Sequence, residues 1–180
     1  MLFNATPLEG NYLIQMEPRT DHRGFFARCF CEDEFAAHGL ETQWAQISMS
    51  MNTHTATLRG LHFQIQPKSE TKLVQCVKGA IWDVVVDLRQ DSDTFGKWFG
   101  SELSEDNQTM MYIPKGFAHG FISLVPNSEI LYFMSSPYSP KHERVISWND
   151  PQLSIDWPIV PSVISNRDQS GLSLSDVKRL

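Results

Sequence analysis

Six histidines are present, and two of them sit where an interior proton carrier would be placed. His62 lies in the apolar run Leu58-Arg59-Gly60-Leu61-His62-Phe63-Gln64. His119 lies between the turn Pro114-Lys115-Gly116 and the pair Gly120-Phe121. An imidazole titrates near neutrality, so one held inside a fold can take or give a proton at physiological pH. His22, His38, His54 and His142 fall in turns, a helix end or polar stretches and read as solvated surface groups. Among the cations, Arg23, Arg59 and Lys72 lie in or beside strand segments, and Arg167 lies in the late polar segment Ser165-Asn166-Arg167-Asp168. Arg59 shares an apolar strand with His62 and is the hardest to read as a surface charge. Tyr132, in Ile130-Leu131-Tyr132-Phe133-Met134, shares a strand face with Ile130 and Met134 and on its own reads as a core tyrosine.

Other chemistries lack their residues. A metal centre in a barrel wants several converging His and carboxylate ligands, often two histidines at alternate strand positions. Two residues after His62 stands Gln64, a poor ligand for a transition metal. Cys29 and Cys31 read as small hydrophobes on one strand face, and Cys76 likewise. There is no Gly-x-Ser-x-Gly elbow and no glycine-rich phosphate loop. The expected site is therefore free of metal and cofactor, with side chains holding any anion.

These residues need a scaffold, and the pattern is all-β. Short apolar or alternating runs recur: Tyr12 to Met16, Phe25 to Phe30, Gln43 to Ser50, Thr57 to Gln64, Lys72 to Val77, Ala80 to Leu88, Trp98 to Leu103, Thr109 to Ile113, Gly120 to Leu124, Ile130 to Met134 and Arg144 to Trp148. Gly, Pro, Asn and Asp punctuate them at sandwich or barrel spacing. On Ala80 to Leu88, Trp82, Val84, Val86 and Leu88 share one face. Ile81, Asp83, Val85 and Asp87 share the other, which implies a partly polar interior or a solvated face. Short helices are expected at Glu32 to His38, ended by Gly39, and at Ser173 to Lys178.

The 180 residues are 41% hydrophobic and 20% charged, enough for one domain spanning 1–180 with its own core. The net charge of −6 argues against nucleic acid, which needs a cationic surface, but leaves room for a small anion on a local basic cluster. Three cysteines make no closed disulfide set and point to a reducing compartment. No run is long enough for a membrane span, and the first residues do not read as a secretory signal, so a cytoplasmic location is expected.

The string Leu58 to Gln64 resembles the dTDP-4-dehydrorhamnose 3,5-epimerase family of the cupin superfamily. The likeness continues through Asp21-His22-Arg23-Gly24-Phe25-Phe26, Lys72-Leu73-Val74, Asp87-Leu88-Arg89, Ile113 to Phe121, Trp148-Asn149-Asp150-Pro151, Ile155-Asp156-Trp157-Pro158 and Ser165 to Asp168. It implies a cupin-type jelly-roll β-sandwich with short peripheral helices, a homodimer, and a metal-free site for a nucleoside diphosphate 4-keto-6-deoxyhexose, most simply a dTDP-linked one. It further implies that His62 is the base, Tyr132 the acid on the opposite face, Asp168 the orienter of His62, and Lys72 the neighbour of the C4 oxygen. Arg23, Arg59 and His119 match substrate-binding positions. Gln46 and Glu143 match further ligand contacts, and Tyr138 matches an aromatic that stacks on the nucleotide base.

Elementary chemistry agrees with these roles. A proton beside a ketone leaves only if the enolate is stabilised as it forms, and a fixed ammonium does that. Inversion needs the proton returned to the other face, hence two groups. The sequence departs from the family at Arg28, where glutamate is common, at Ser48 for asparagine, at Arg167 for lysine, and at Phe133 for lysine. Arg28, Ser48 and Arg167 are counted with the substrate-binding set, and Arg23, Arg59, Lys72, Arg167 and Arg28 are expected to gather at one cavity. The competing readings are a single-carbon epimerase of another nucleotide sugar, a 3,4-ketoisomerase, a non-catalytic sugar-nucleotide binding cupin, and a metal-dependent cupin oxygenase.

Overall fold

The computed structural model describes residues 1–177. In chain order the first elements are β1 (Leu2–Ala5), β2 (Tyr12–Gln15), β3 (Arg19–Asp21), β4 (Gly24–Phe26), α1 (Glu32–Ala37), β5 (Gln46–Asn52) and β6 (Thr57–Gln64). Then come β7 (Lys72–Lys78), β8 (Ala80–Asp87), β9 (Trp98–Ser104), β10 (Thr109–Ile113), β11 (Phe117–Ser123) and β12 (Ser128–Met134). The chain closes with β13 (Glu143–Val145), β14 (Val163–Ile164), α2 (Asn166–Gln169) and α3 (Leu174–Val177). One sheet runs β1-β2-β10-β7-β12-β5; the other runs β13-β6-β11-β8-β9, with β14 added in parallel to β6. This is the cupin jelly-roll sandwich that the family resemblance implies, and it is all-β as the alternating runs imply.

Three apolar layers hold it together. Val74, Cys76, Ile130 and Met111 of the first sheet meet Ile81, Val85, Leu103 and Phe121 of the second in the interior. The outer face of the second sheet is covered by the C-terminal segment, where Ile146, Leu153, Leu174 and Val177 pack on Leu61, Phe63, Val84 and Val86. The outer face of the first is covered by α1 through Phe35, against Ile14, Leu73, Met110 and Tyr112. Both faces of β8 are therefore buried. Asp83 and Asp87, both fully buried, resolve the question left by its alternation: the second face is a partly polar interior.

Differences from expectation are local. The run Phe25 to Phe30 is a strand only through Phe26, in a separate hairpin of β3 and β4. Beyond it the chain leaves the sheet and enters α1, with Cys31 as the residue before the helix and Cys29 exposed, so neither cysteine is on a strand face. Two alternating residues look alike in a strand and a coil, which is why the pattern overreached. Cys76 is a buried strand residue, and burial pushes its thiol up to about 11. β11 starts at Phe117, so His119 lies inside a strand rather than before one. His142 is half-buried on Ser139 Oγ at 2.8 Å, not solvated. Leu174–Val177 forms the expected last helix; Lys178 lies outside the described residues. Among the described residues no helix is long and apolar enough to cross a membrane.

Candidate active site

A cavity of about 300 Å³ opens between the two sheets at one end of the sandwich. β6 supplies one wall through Arg59, His62 and Gln64. Residues three apart on a regular strand face opposite sides, so Arg59 and His62 should not share one. They do because β6 bulges: His119 pairs with His62 and Phe121 with Arg59, three residues against two. Gly60 sits in that bulge at φ 122, and a Cβ there would lie 2.5 Å from Gly120 Cα, so only glycine fits.

His62 is anchored from behind. Its Nε2 lies 2.7 Å from Asp168 Oδ1. With its Nε2 proton donated to that carboxylate, the neutral ring keeps the Nδ1 lone pair free to act as base. Asp168 is 4% exposed and is set by α2, whose Ser165 side chain accepts from the Asp168 N–H. Burial alone would raise the Asp168 carboxyl. The His62 bond and charge, the Gly60 N–H and Ser165 outweigh it and hold the carboxyl below its ordinary value.

The opposite wall belongs to the other sheet. Tyr132 on β12 points inward with Ile130, while Phe133 turns outward onto Trp44, at 5.9 Å between ring centroids. The Tyr132 hydroxyl meets Ser50 Oγ at 3.1 Å. Burial pushes this phenol far above its ordinary value, so it stays a proton donor. Lys72 on β7 is 8% exposed and reaches across to the carbonyl of His62 at 3.3 Å and to Glu70 at 3.2 Å.

A second imidazole stands beside the first. His119 Nε2 lies 2.7 Å from Asp83 Oδ1, and Asp83 Oδ2 has no partner. At the mouth, the Tyr138 hydroxyl donates to Glu143 at 2.7 Å, Glu143 pairs with Arg167, and Gln46 accepts from the Tyr138 N–H at 3.2 Å while donating to Ser48 at 3.0 Å. Arg59 donates to Asn52 at 2.7 Å.

The cavity thus brings together His62, Tyr132, Lys72, His119, Arg59, Ser48, Tyr138 and Glu143, with Asp168 behind and Gln46 and Arg167 bonded to its rim. Arg23 and Arg28 do not line it within this one chain. Arg23 is exposed on the β3–β4 hairpin and held by Asp21 at 2.5 Å, and Arg28 is paired with Glu34 of α1. Of the four departures from the family, only Ser48 and Arg167 stand at the cavity. Sequence reasoning missed Glu70 and the partnership of Asp83 with His119; alternation on β8 left Asp83 on an interior or a solvated face, and nothing in the pattern singled out Glu70. Among the described residues no three His, Cys, Asp or Glu side chains are grouped to hold a metal ion, and both interior imidazoles already bond carboxylates.

A jelly-roll cavity with an imidazole on one wall, a phenol on the other and fixed cations between them is equipped for proton transfer on a bound ligand, the arrangement expected of a cupin epimerase. Residues 5–176 match the family described as dTDP-4-dehydrorhamnose 3,5-epimerase. The enzyme of that name from Methanothermobacter thermautotrophicus is 42% identical over 93% of this chain and 91% of its own. The crystal structure of the Bacillus anthracis dTDP-4-dehydrorhamnose 3,5-epimerase with TDP and PPi bound has a TM-score of 0.93 at 38% identity, covering 96% of this chain and 98% of that one. ChmJ, a 3'-monoepimerase from Streptomyces bikiniensis in complex with dTDP-quinovose, has a TM-score of 0.91 at 32% identity, covering 98% of this chain and 89% of its own. The chain belongs to the dTDP-4-dehydrorhamnose 3,5-epimerase family, and the protein is an epimerase.

Proposed function

We propose that this epimerase converts dTDP-4-dehydro-6-deoxyglucose to dTDP-4-dehydrorhamnose by inverting C3 and C5 in turn. The observation that carries this reading is the facing of His62 and Tyr132 from opposite sheets across one cavity. His62 Nδ1 takes the proton from the carbon beside the C4 ketone. The electron pair of that C–H bond forms the carbon–carbon double bond, and the C4 oxygen becomes an enolate. Lys72 stabilises that oxygen with a charge already in place. Tyr132 then donates its proton to the other face, and the double-bond electrons return to form the new C–H bond. The turn ends with His62 protonated and Tyr132 ionised, and exchange with solvent resets both. Because C3 and C5 flank the same ketone, one pair serves both.

Asp168 keeps His62 in the productive tautomer and supports its cation. Arg59, His119, Gln46, Ser48, Glu143 and Arg167 bind the nucleotide-sugar, and Tyr138 stacks on the base. The reaction needs no metal or redox cofactor, since only protons move. Residues 1–180 then act as one domain in the cytoplasm.

A homodimer belongs to the same proposal. β5 ends its sheet with Ile47, Met49 and Met51 facing out at 59%, 66% and 53% exposure. The β3–β4 hairpin shows Phe25 and Phe26 at 58% and 76%. An apolar edge of this kind invites association unless it is covered. A second copy that laid its hairpin over this edge would bury both patches and bring Arg23 toward the cavity.

The likeness to a 3'-monoepimerase favours one alternative, inversion at a single carbon. Proton NMR in deuterated water with dTDP-4-dehydro-6-deoxyglucose decides between them. Loss of the signals at both C3 and C5 is the expected result. Exchange at one carbon alone replaces the proposal with the alternative, and exchange at neither ends it.

A further inference from the structure

We propose that Glu70 is the positioning residue that aims Lys72 at the ketone oxygen; the inference rests on the placement of Lys72 at that oxygen in the function proposed above. Glu70 lies in the loop between β6 and β7, and its side chain is 8% exposed. Its Oε1 is 3.2 Å from Lys72 Nζ, and its Oε2 accepts from Gln64 Nε2 at 2.7 Å. Gln64 is itself pinned, donating to the Lys68 carbonyl at 3.0 Å and accepting from the Ser139 N–H at 2.6 Å. The carboxylate is therefore held from one side and holds from the other.

An ammonium has three donors. Two of those on Lys72 go to fixed acceptors, the His62 carbonyl and Glu70. The third is left for the cavity, in a direction set by the first two. Without Glu70 the four-carbon stem is free to swing. The Lys72 charge is also felt at the buried Asp83, whose Oδ2 has no partner. A group placed for transition-state stabilisation loses much of its effect when misdirected by about 1 Å.

The test is a double-mutant cycle read by deuterium wash-in, with Glu70→Ala, Glu70→Gln, Lys72→Met and the Glu70→Ala/Lys72→Met pair. Glu70→Ala is expected to lower kcat about tenfold with KM changed less than about twofold, since a misaimed donor is lost in the transition state. Glu70→Gln keeps an acceptor of the same shape and recovers most of the rate. In the Lys72→Met background Glu70→Ala has no further effect. The proposal is overturned if Glu70→Ala lowers kcat by the same factor with Lys72 absent, or leaves kcat untouched with it present. NMR order parameters of the Lys72 ammonium supply a readout that needs no turnover. They should fall in Glu70→Ala and hold in Glu70→Gln, and unchanged values in both reject the idea. If the wild-type protein exchanges no substrate proton, the epimerase reading fails, while the order parameters still decide whether Glu70 holds Lys72.

Discussion

Two imidazole–carboxylate pairs stand side by side in this cavity, and their bond lengths do not tell them apart. His62 and His119 are direct register partners across β6 and β11, and each has Nε2 at 2.7 Å from an aspartate oxygen. Their surroundings differ. Asp168 also receives the Gly60 N–H at 3.4 Å and the help of Ser165, and its carboxyl stays below the ordinary value. Asp83 is wholly buried with one oxygen unpartnered, and burial pushes its carboxyl up despite His119 and Lys72. The His62 side chain is 31% exposed, and that of His119 is 5%. An ionised, hydrogen-bonded carboxylate can support an imidazolium formed by proton abstraction; a carboxyl starved of partners supports it poorly. The proposal that His62 is the base and His119 a substrate contact rests on this difference in what surrounds each aspartate.

Replacing each histidine tests that contrast most severely. His62→Ala should lower kcat on the order of 10³-fold, the range for losing a general base, with affinity for dTDP kept within about twofold. His119→Ala should lower kcat far less and raise KM instead. Stopped deuterium exchange in both variants with equal loss of kcat would erase the distinction. The aspartates come next in size. Asp168→Asn leaves an acceptor shape but no charge to support the imidazolium, and kcat should fall about 10²-fold. Asp83→Asn should cost less than about tenfold, measured in the same exchange assay.

The contrast also explains what could be read from the chain. β6 and β10 begin and end where alternation placed them, because both are central strands whose two faces are buried. His62 was legible for the same reason, because the run itself says that it is inside; His119 was singled out from its interior segment although its strand begins earlier than expected. The partners were not legible. Asp83 lies 36 residues from His119, and Glu70, two residues before Lys72, is tied back to Gln64 across the loop. Arg23 and Arg28 carried family weight at their positions, yet nothing local says that a hairpin carries the first, and a pairing with Glu34 holds the second, apart from the cavity of their own chain. Short-range pattern fixes which face a residue takes, whereas partners arise from topology.

The smallest effect should be the most discriminating, because its sign differs between the two pairs. Asp168 has a lowered folded value. Its contribution to stability is complete above the ordinary 3.8 of the unfolded chain and is lost as pH falls through the lower folded value. Asp83 has a raised one. As pH climbs from 3.8 through the folded value, the folded state holds the extra proton and stability declines. Asp168→Asn should therefore destabilise the protein at pH 7 by about 1–2 kcal/mol, the scale of one hydrogen bond to a charged group. Asp83→Asn should leave it unchanged or stabilise it by about 1 kcal/mol, since it removes a buried charge with an unpartnered oxygen. Both differences should shrink as urea midpoints are taken to lower pH, that of Asp83 first, as its raised carboxyl is protonated, and that of Asp168 only below 3.8, as pH falls through its lowered folded value. Midpoints that move in the same direction for the two variants at pH 7 would mean that the two carboxylates are solvated alike, and the assignment of a single base would lose its physical ground.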